Sequence, residues 1–150
     1  MMFFHTGLTV SDIDEAKSLF TDVFGMVVTS ERDLRGEYLA HMLGIGEEMT
    51  ARIVMLQADQ NTFVELVEYS SSTLQLSRAR TVSDITVSNT PHFAYFVDDL
   101  ELFHLQSESS RLRPLAAEAD TIPGGPFAGG MIRFYQSSFG CLFEVIQRPA

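Results

Sequence analysis

"HTGLTVSDI" (residues 5–13) and "HFAYFVDDL" (residues 92–100) share one phrase: His, four residues, Val, one residue, Asp, then Ile or Leu. In each copy the first part is rich in β-branched or aromatic residues and predicts a strand. The acids that follow predict the capped start of a helix. After the first copy, Ile13, Ala16, Phe20 and Val23 recur at helical spacing, with Ser11 as N-cap and Gly25 just past the end. After the second copy, "DDLELFHLQSES" predicts a helix capped by Asp98 or Asp99.

Residues 26–31, 51–57 and 61–69 predict strands, and "QADQN" a hairpin turn between the last two. The segment 36–50, "GEYLAHMLGIGEEMT", reads equally as a strand or as a loop with a short helix. In the second half a short strand is expected within "RLRPLAAEA", a glycine-rich loop at "TIPGGPFAGG", and strands at "MIRFYQ" and "CLFEVIQ" joined by "SSFG". Each half therefore reads strand, helix, several strands. The domain expected over 1–150 is one α+β unit of two repeats, about 1–70 and 90–150. A Ser/Thr-rich connection, 71–89, joins them, with a helical turn near "LQLSRAR".

Alignment on the two histidines places Val10 on Val97, Asp12 on Asp99 and, near the repeat ends, "VELV" on "FEVI". Glu65 then falls on Glu144. Both acids lie in apolar runs, where a carboxylate without a partner is costly. Two imidazoles and two carboxylates make a mixed N/O donor set suited to a divalent Zn, Ni, Co, Mn or Fe ion. On an octahedral ion they leave two positions for substrate oxygens. His5, Glu65, His92 and Glu144 are the candidate metal ligands. Glu68 is a rival that period two places on the opposite face and that aligns with Gln147. His104 has no repeat partner and is read as a surface residue.

Ten Lys plus Arg against twenty Asp plus Glu give a net charge of -10, which repels nucleic acid and anionic lipid at long range. The apolar start "MMFFHTGLTV" is too short to span a bilayer and has no basic flank. One cysteine, Cys141, excludes an internal disulfide and fits a reducing, cytoplasmic setting.

The segments "HTGLTVSDIDEAKSLFTDVFGM", "FVELVEY", "HFAYFVDDL" and "GGMIRFYQSSFGCLFEVIQRP" together resemble the vicinal oxygen chelate superfamily. That superfamily includes glyoxalase I, methylmalonyl-CoA epimerase, extradiol dioxygenases and the fosfomycin and bleomycin resistance proteins. The resemblance covers nearly the whole chain. It implies two βαβββ modules forming a curved mixed sheet around a metal, with the family's ligand positions on His5, Glu65, His92 and Glu144. It also implies a homodimer and a small-molecule substrate. The chain departs from the family at the turn before Glu144, where "SSFG" keeps only Gly140 of an Asp-Pro-Asp-Gly-type turn.

The resemblance implies a glyoxalase- or epimerase-type reaction, lactoylglutathione-lyase-like in kind. Vicinal oxygens of a small carbonyl or polyol substrate are chelated, and a proton moves by way of an enediolate. Glu65 or Glu144 is the candidate to move it. Glu48, in "EEMTARIVML", is a further candidate base because that segment looks like the epimerase's approach to its third strand. "GEYLAHMLGI", followed by "RIVML" and "VELVEY", is most similar to a bacterial subgroup related to the cyclitol epimerases of aminocyclitol biosynthesis. The alternatives are an Fe(II) extradiol-type dioxygenase and a non-catalytic, bleomycin-resistance-like drug binder. Tyr38, His41, Arg52 and Arg133 are candidate substrate contacts, with Met55, Phe127 and Phe134 as candidate pocket wall.

Overall fold

The computed structural model describes residues 4–44, 46–71, 91–107, 109–110 and 112–149. The helical turn expected near "LQLSRAR" lies outside the described residues. The chain divides into two compact units, Met1–Ala79 and Arg80–Ala150.

In the first unit, β1 (His5–Thr9) leads into α1 (Ile13–Asp22), β2 (Val27–Arg35), α2 (Glu37–Leu43), β3 (Met49–Gln57) and β4 (Phe63–Ser71). The ambiguous segment 36–50 thus contains a short helix, bracketed by Gly36 and Gly44, both at positive φ. The sheet order is β1-β4-β3-β2, with β1 parallel to β4 and the other pairs antiparallel. In the hairpin between β3 and β4, Asp59 Oδ1 accepts from the amides of Asn61 and Thr62 at 2.8 and 2.9 Å.

The second unit runs β5 (His92–Val97), α3 (Leu100–Ser107), β6 (Leu112–Pro114), β7 (Asp120–Thr121), β8 (Met131–Ser137) and β9 (Leu142–Gln147). Its order is β5-β9-β8-β6, with β7 also on β8. β6 pairs with one end of β8 and β7 with the other, so together they take the place along β8 that unbroken β2 takes along β3. "SSFG" forms the expected hairpin, with the Ser137 amide donating to Cys141 O at 2.9 Å and Gly140 at φ 85°. The fold is α+β, each module a βαβββ unit, and both sheets are mixed. No helix among the described residues is long and apolar enough to cross a membrane.

The repeated Asp is the cap in both units. Asp12, not Ser11, is the N-cap of α1, and its Oδ1 accepts from the Glu15 amide at 2.9 Å. Asp99 Oδ1 accepts from the Leu102 amide at 2.9 Å, the same position in α3. The next residue of the phrase, Ile13 or Leu100, opens the buried stripe of its helix. Ile13, Ala16 and Phe20 of α1 are fully buried, as are Leu56 and Leu66 of the sheet. Burial of each large side chain contributes about 1.5–3 kcal/mol.

Two arginines read as candidate substrate contacts bond to the framework. Arg52 clamps Asp14 of α1 through Nη1 and Nη2 at 3.0 and 3.1 Å, and its Nη1 reaches Glu68 at 3.4 Å. Arg133 is buried, and its guanidinium donates to Ala116 O at 3.1 Å and to Ala117 O. These carbonyls belong to the gap between β6 and β7, where strand pairing no longer satisfies them. His104 is half-buried rather than a surface residue, its Nδ1 lying 3.4 Å from the Tyr135 hydroxyl.

Arg52's hydrogen bonds hold the Asp14 carboxyl below its ordinary range, against a smaller opposing effect of desolvation. Because the folded value is the lower one, the clamp stabilises fully above about pH 4 and is lost as pH falls through the lowered value. Urea unfolding should show Asp14→Asn less stable than the parent at about pH 6, with the gap closing below about pH 3. Arg133→Met should lose about 1–3 kcal/mol in the same assay, because it strands the two carbonyls.

Candidate functional site

Register places the two His–Glu pairs identically. Gly7 stands opposite Glu65 across the parallel β1–β4 pair, and Ala94 stands opposite Glu144 across β5–β9. Each His lies two residues before that small residue, on the same face of its strand. His5 Nε2 is 3.4 Å from Glu65 Oε2, and His92 Nε2 is 3.2 Å from Glu144 Oε2. The carboxylates are largely covered, with side-chain exposures of 17% and 19%. A phenyl ring packs edge-on against each imidazole: Phe4 on His5 at 4.9 Å between centroids, Phe134 on His92 at 5.8 Å.

The donors fit a divalent ion. Two ligands each about 2.1 Å from one ion lie about 3.0 Å apart at a right angle and about 3.4 Å apart at the tetrahedral angle. The observed 3.2 and 3.4 Å fall in that interval. Beside Glu65 there is room, since a Cβ added at Gly7 would meet nothing within 4 Å. His5 Nδ1 is buried without a hydrogen-bond partner, so ring packing, not a second hydrogen bond, holds that imidazole. Among the described residues no group of three or more His, Cys, Asp or Glu side chains could hold a metal, so each unit offers a pair.

Of the other residues singled out in the sequence, Glu68 lies on the α1 side of its sheet, engaged by Arg52. Arg52 and Arg133 are on the helix-covered faces, because their neighbours Ile53 and Phe134 share the rows of the paired acids. Glu48 is exposed in the turn before β3, and Glu65 pairs with Met55 farther along that strand. The separation is roughly 20 Å at about 3.3 Å per residue, so Glu48 does not join the His5–Glu65 pair. Met55 and Phe134 stand directly opposite Glu65 and Glu144 on the neighbouring strands.

Tyr38 and His41 ride on α2. Its Leu39 is buried with Ala51, Ile53 and Val67, on the Glu65 side of the sheet, while Tyr38 is 65% exposed. Arg32 had no assigned role in the sequence, yet its Nη2 reaches Glu65 Oε1 at 3.4 Å. A surface depression lined by Glu31, Arg32, Asp33, Arg52, Ile53 and Val54 leaves out His5 and Glu65. Cys141 takes no part, since burial pushes its thiol up to about 12 and keeps it neutral.

Comparison with known proteins agrees with this fold. A 2-epi-5-epi-valiolone epimerase from Actinomyces sp is 30% identical over 151 aligned positions, covering 97% of this chain and 79% of the relative. A glyoxalase family protein from Bacillus cereus superposes with a TM-score of 0.81 at 14% identity, covering 100% of this chain and 95% of the other. Glyoxalase I from Zea mays superposes with a TM-score of 0.64 at 22% identity, covering 99% of this chain and 45% of that larger one. The family described as the Glyoxalase/Bleomycin resistance protein/Dioxygenase superfamily matches residues 3–145, and the chain belongs to it.

Proposed function

We propose that this protein is a divalent-metal-dependent isomerase of the glyoxalase and epimerase type, working as a homodimer on a small carbonyl or polyol substrate. The reaction favoured is epimerisation beside a carbonyl, in the manner of a cyclitol epimerase. The observation that carries the reading is the identical register of two His–Glu pairs, each spaced as two ligands of one ion would be. The relative named 2-epi-5-epi-valiolone epimerase supports the choice of reaction.

His5, Glu65, His92 and Glu144 are the proposed ligands of the ion. The ion would supply Lewis acidity toward a carbonyl and its neighbouring oxygen. The carboxylate of Glu65 or Glu144 takes the proton from the carbon beside the carbonyl. The electron pair of the broken C–H bond enters a new C–C double bond, and the carbonyl oxygen takes the negative charge. A proton given by water to the opposite face of that carbon inverts the centre, and the carboxyl passes the proton it took to the hydroxide left behind, ending as it began. The edge-on rings of Phe4 and Phe134 keep the two imidazoles in place and exclude water from one side of each.

Elemental analysis of protein purified without chelator should find near-stoichiometric Zn, Ni, Co or Mn in the parent and none in His5→Ala/Glu144→Ala. In deuterium oxide the loaded parent should exchange the hydrogen beside the carbonyl of a hydroxylated cyclic ketone, and the double variant should not. Iron, with ring cleavage of a catechol, would favour the dioxygenase. Failure to bind any of these ions when each is added would overturn the catalytic reading and leave a binding protein on this scaffold.

A further inference from the structure

The two pairs match in register but not in their surroundings. Glu65 Oε2 faces His5, and its other oxygen, Oε1, faces the guanidinium of Arg32 at 3.4 Å. Against His92 of the second pair stands the ring of Phe134, and among the described residues no arginine or lysine pairs with Glu144.

Arg32 owes its position to an irregularity in β2. Val28 pairs with Leu56, on the face covered by α1, and the register then shifts so that Ser30 pairs with Met55 and Arg32 with Ile53. Without that shift Arg32 would stand opposite Arg52 on the helix-covered face. The extra residue turns it onto the face that carries His5 and Glu65, the kind of re-aiming that bulges perform beside functional sites. Thr29, the residue left out of the pairing, donates through its hydroxyl to Met55 O at 3.2 Å and secures the shift.

The guanidinium is also lightly used where it stands. Arg52 is spent on Asp14 and Glu68, Arg133 on two carbonyls, Arg113 on Gln136 at 3.0 Å, and Arg148 over the ring of Phe96 at 4.0 Å. Arg32 has one long contact and a side chain 57% exposed. A guanidinium carries five N–H donors, and most of these are free for oxygen acceptors.

We propose that Arg32 is a substrate-contacting residue. It donates to an oxygen of the ligand on the Glu65 side and stabilises the negative charge that gathers on that oxygen as the proton leaves carbon. The proposal rests on the metal-dependent isomerase reading and deepens it. Two carboxylates balance a divalent ion, so the charge of Arg32 is the surplus that favours an electron-rich, vicinal-oxygen ligand.

The test uses oxalate, a planar anion with vicinal oxygens, titrated by calorimetry into protein loaded with cobalt alone. The parent is compared with Arg32→Gln, Arg32→Lys and Arg35→Gln, the last removing the same charge from a neighbouring position of β2. The expected result is unchanged cobalt content in all four. Oxalate should bind at least about tenfold more weakly to Arg32→Gln, at intermediate strength to Arg32→Lys, and as in the parent to Arg35→Gln. Equal oxalate affinity in the parent and Arg32→Gln would overturn the proposal and leave the metal site standing. Loss of cobalt from Arg32→Gln would overturn it in favour of a residue that merely positions Glu65. An equal weakening in Arg35→Gln would reduce it to a general charge effect and overturn it too. A parent that binds no cobalt would overturn the isomerase reading itself, and the proposal with it.

Discussion

Parallel pairing of the first strand of each unit with its last is the constraint on which the rest of the molecule depends. Parallel neighbours cannot be joined by a tight hairpin, so the chain between them must leave the sheet and return. In the first unit that excursion is α1, β2, α2 and β3, and in the second α3, β6, β7 and β8. The helix packs on one face because its apolar stripe must be buried. The other face is left for the acids that apolar packing would not tolerate. The small residues opposite them, Gly7 and Ala94, keep that face open beside the carboxylates. One pairing choice thus separates a dry side covered by α1 or α3 from a side with donors and space, of which α2 covers only the part beside Ala51, Ile53 and Val67.

The charged groups divide in the same way. On the α1 side of the first sheet, Arg52 binds Asp14 and Glu68, and Lys17 reaches Glu31 at 3.1 Å. These exposed pairs are worth little individually, but they occupy the cations of that side. In the second unit Arg133 is buried, and it closes the gap in a broken outer strand.

Much of this was legible in the sequence because it rests on local chemistry. The repeated phrase marked both the strand with a His and the helix cap, and the structure moved the first cap by one residue, from Ser11 to Asp12. Hairpins marked by "QADQN" and "SSFG" needed only turn chemistry to be seen. The side of a sheet on which an arginine lies was not legible. Arg52 and Arg133 sit in strands beside the acid-bearing ones, but which side they face depends on a register the chain does not print. Arg32 was harder still, since alternation counted from Val27 or Val28 gives the wrong side once the shift has intervened. The four candidate ligands came from aligning the repeats. The two pairs agree with that alignment in register and spacing.

The shift in β2 also bears on how such a scaffold changes over generations. Loss of such a bulge from an end strand, with the chain length kept, disturbs few hydrogen bonds, yet it exchanges every side chain beyond that point between the two faces. Substitutions near Thr29 that let it pair with Met55 in regular register would withdraw the guanidinium from the donor-bearing face and present Glu31 and Asp33 there instead, reversing the local charge. Scaffolds of this kind thus hold a route to a ligand of opposite charge that leaves the four donor residues, the helices and the core untouched.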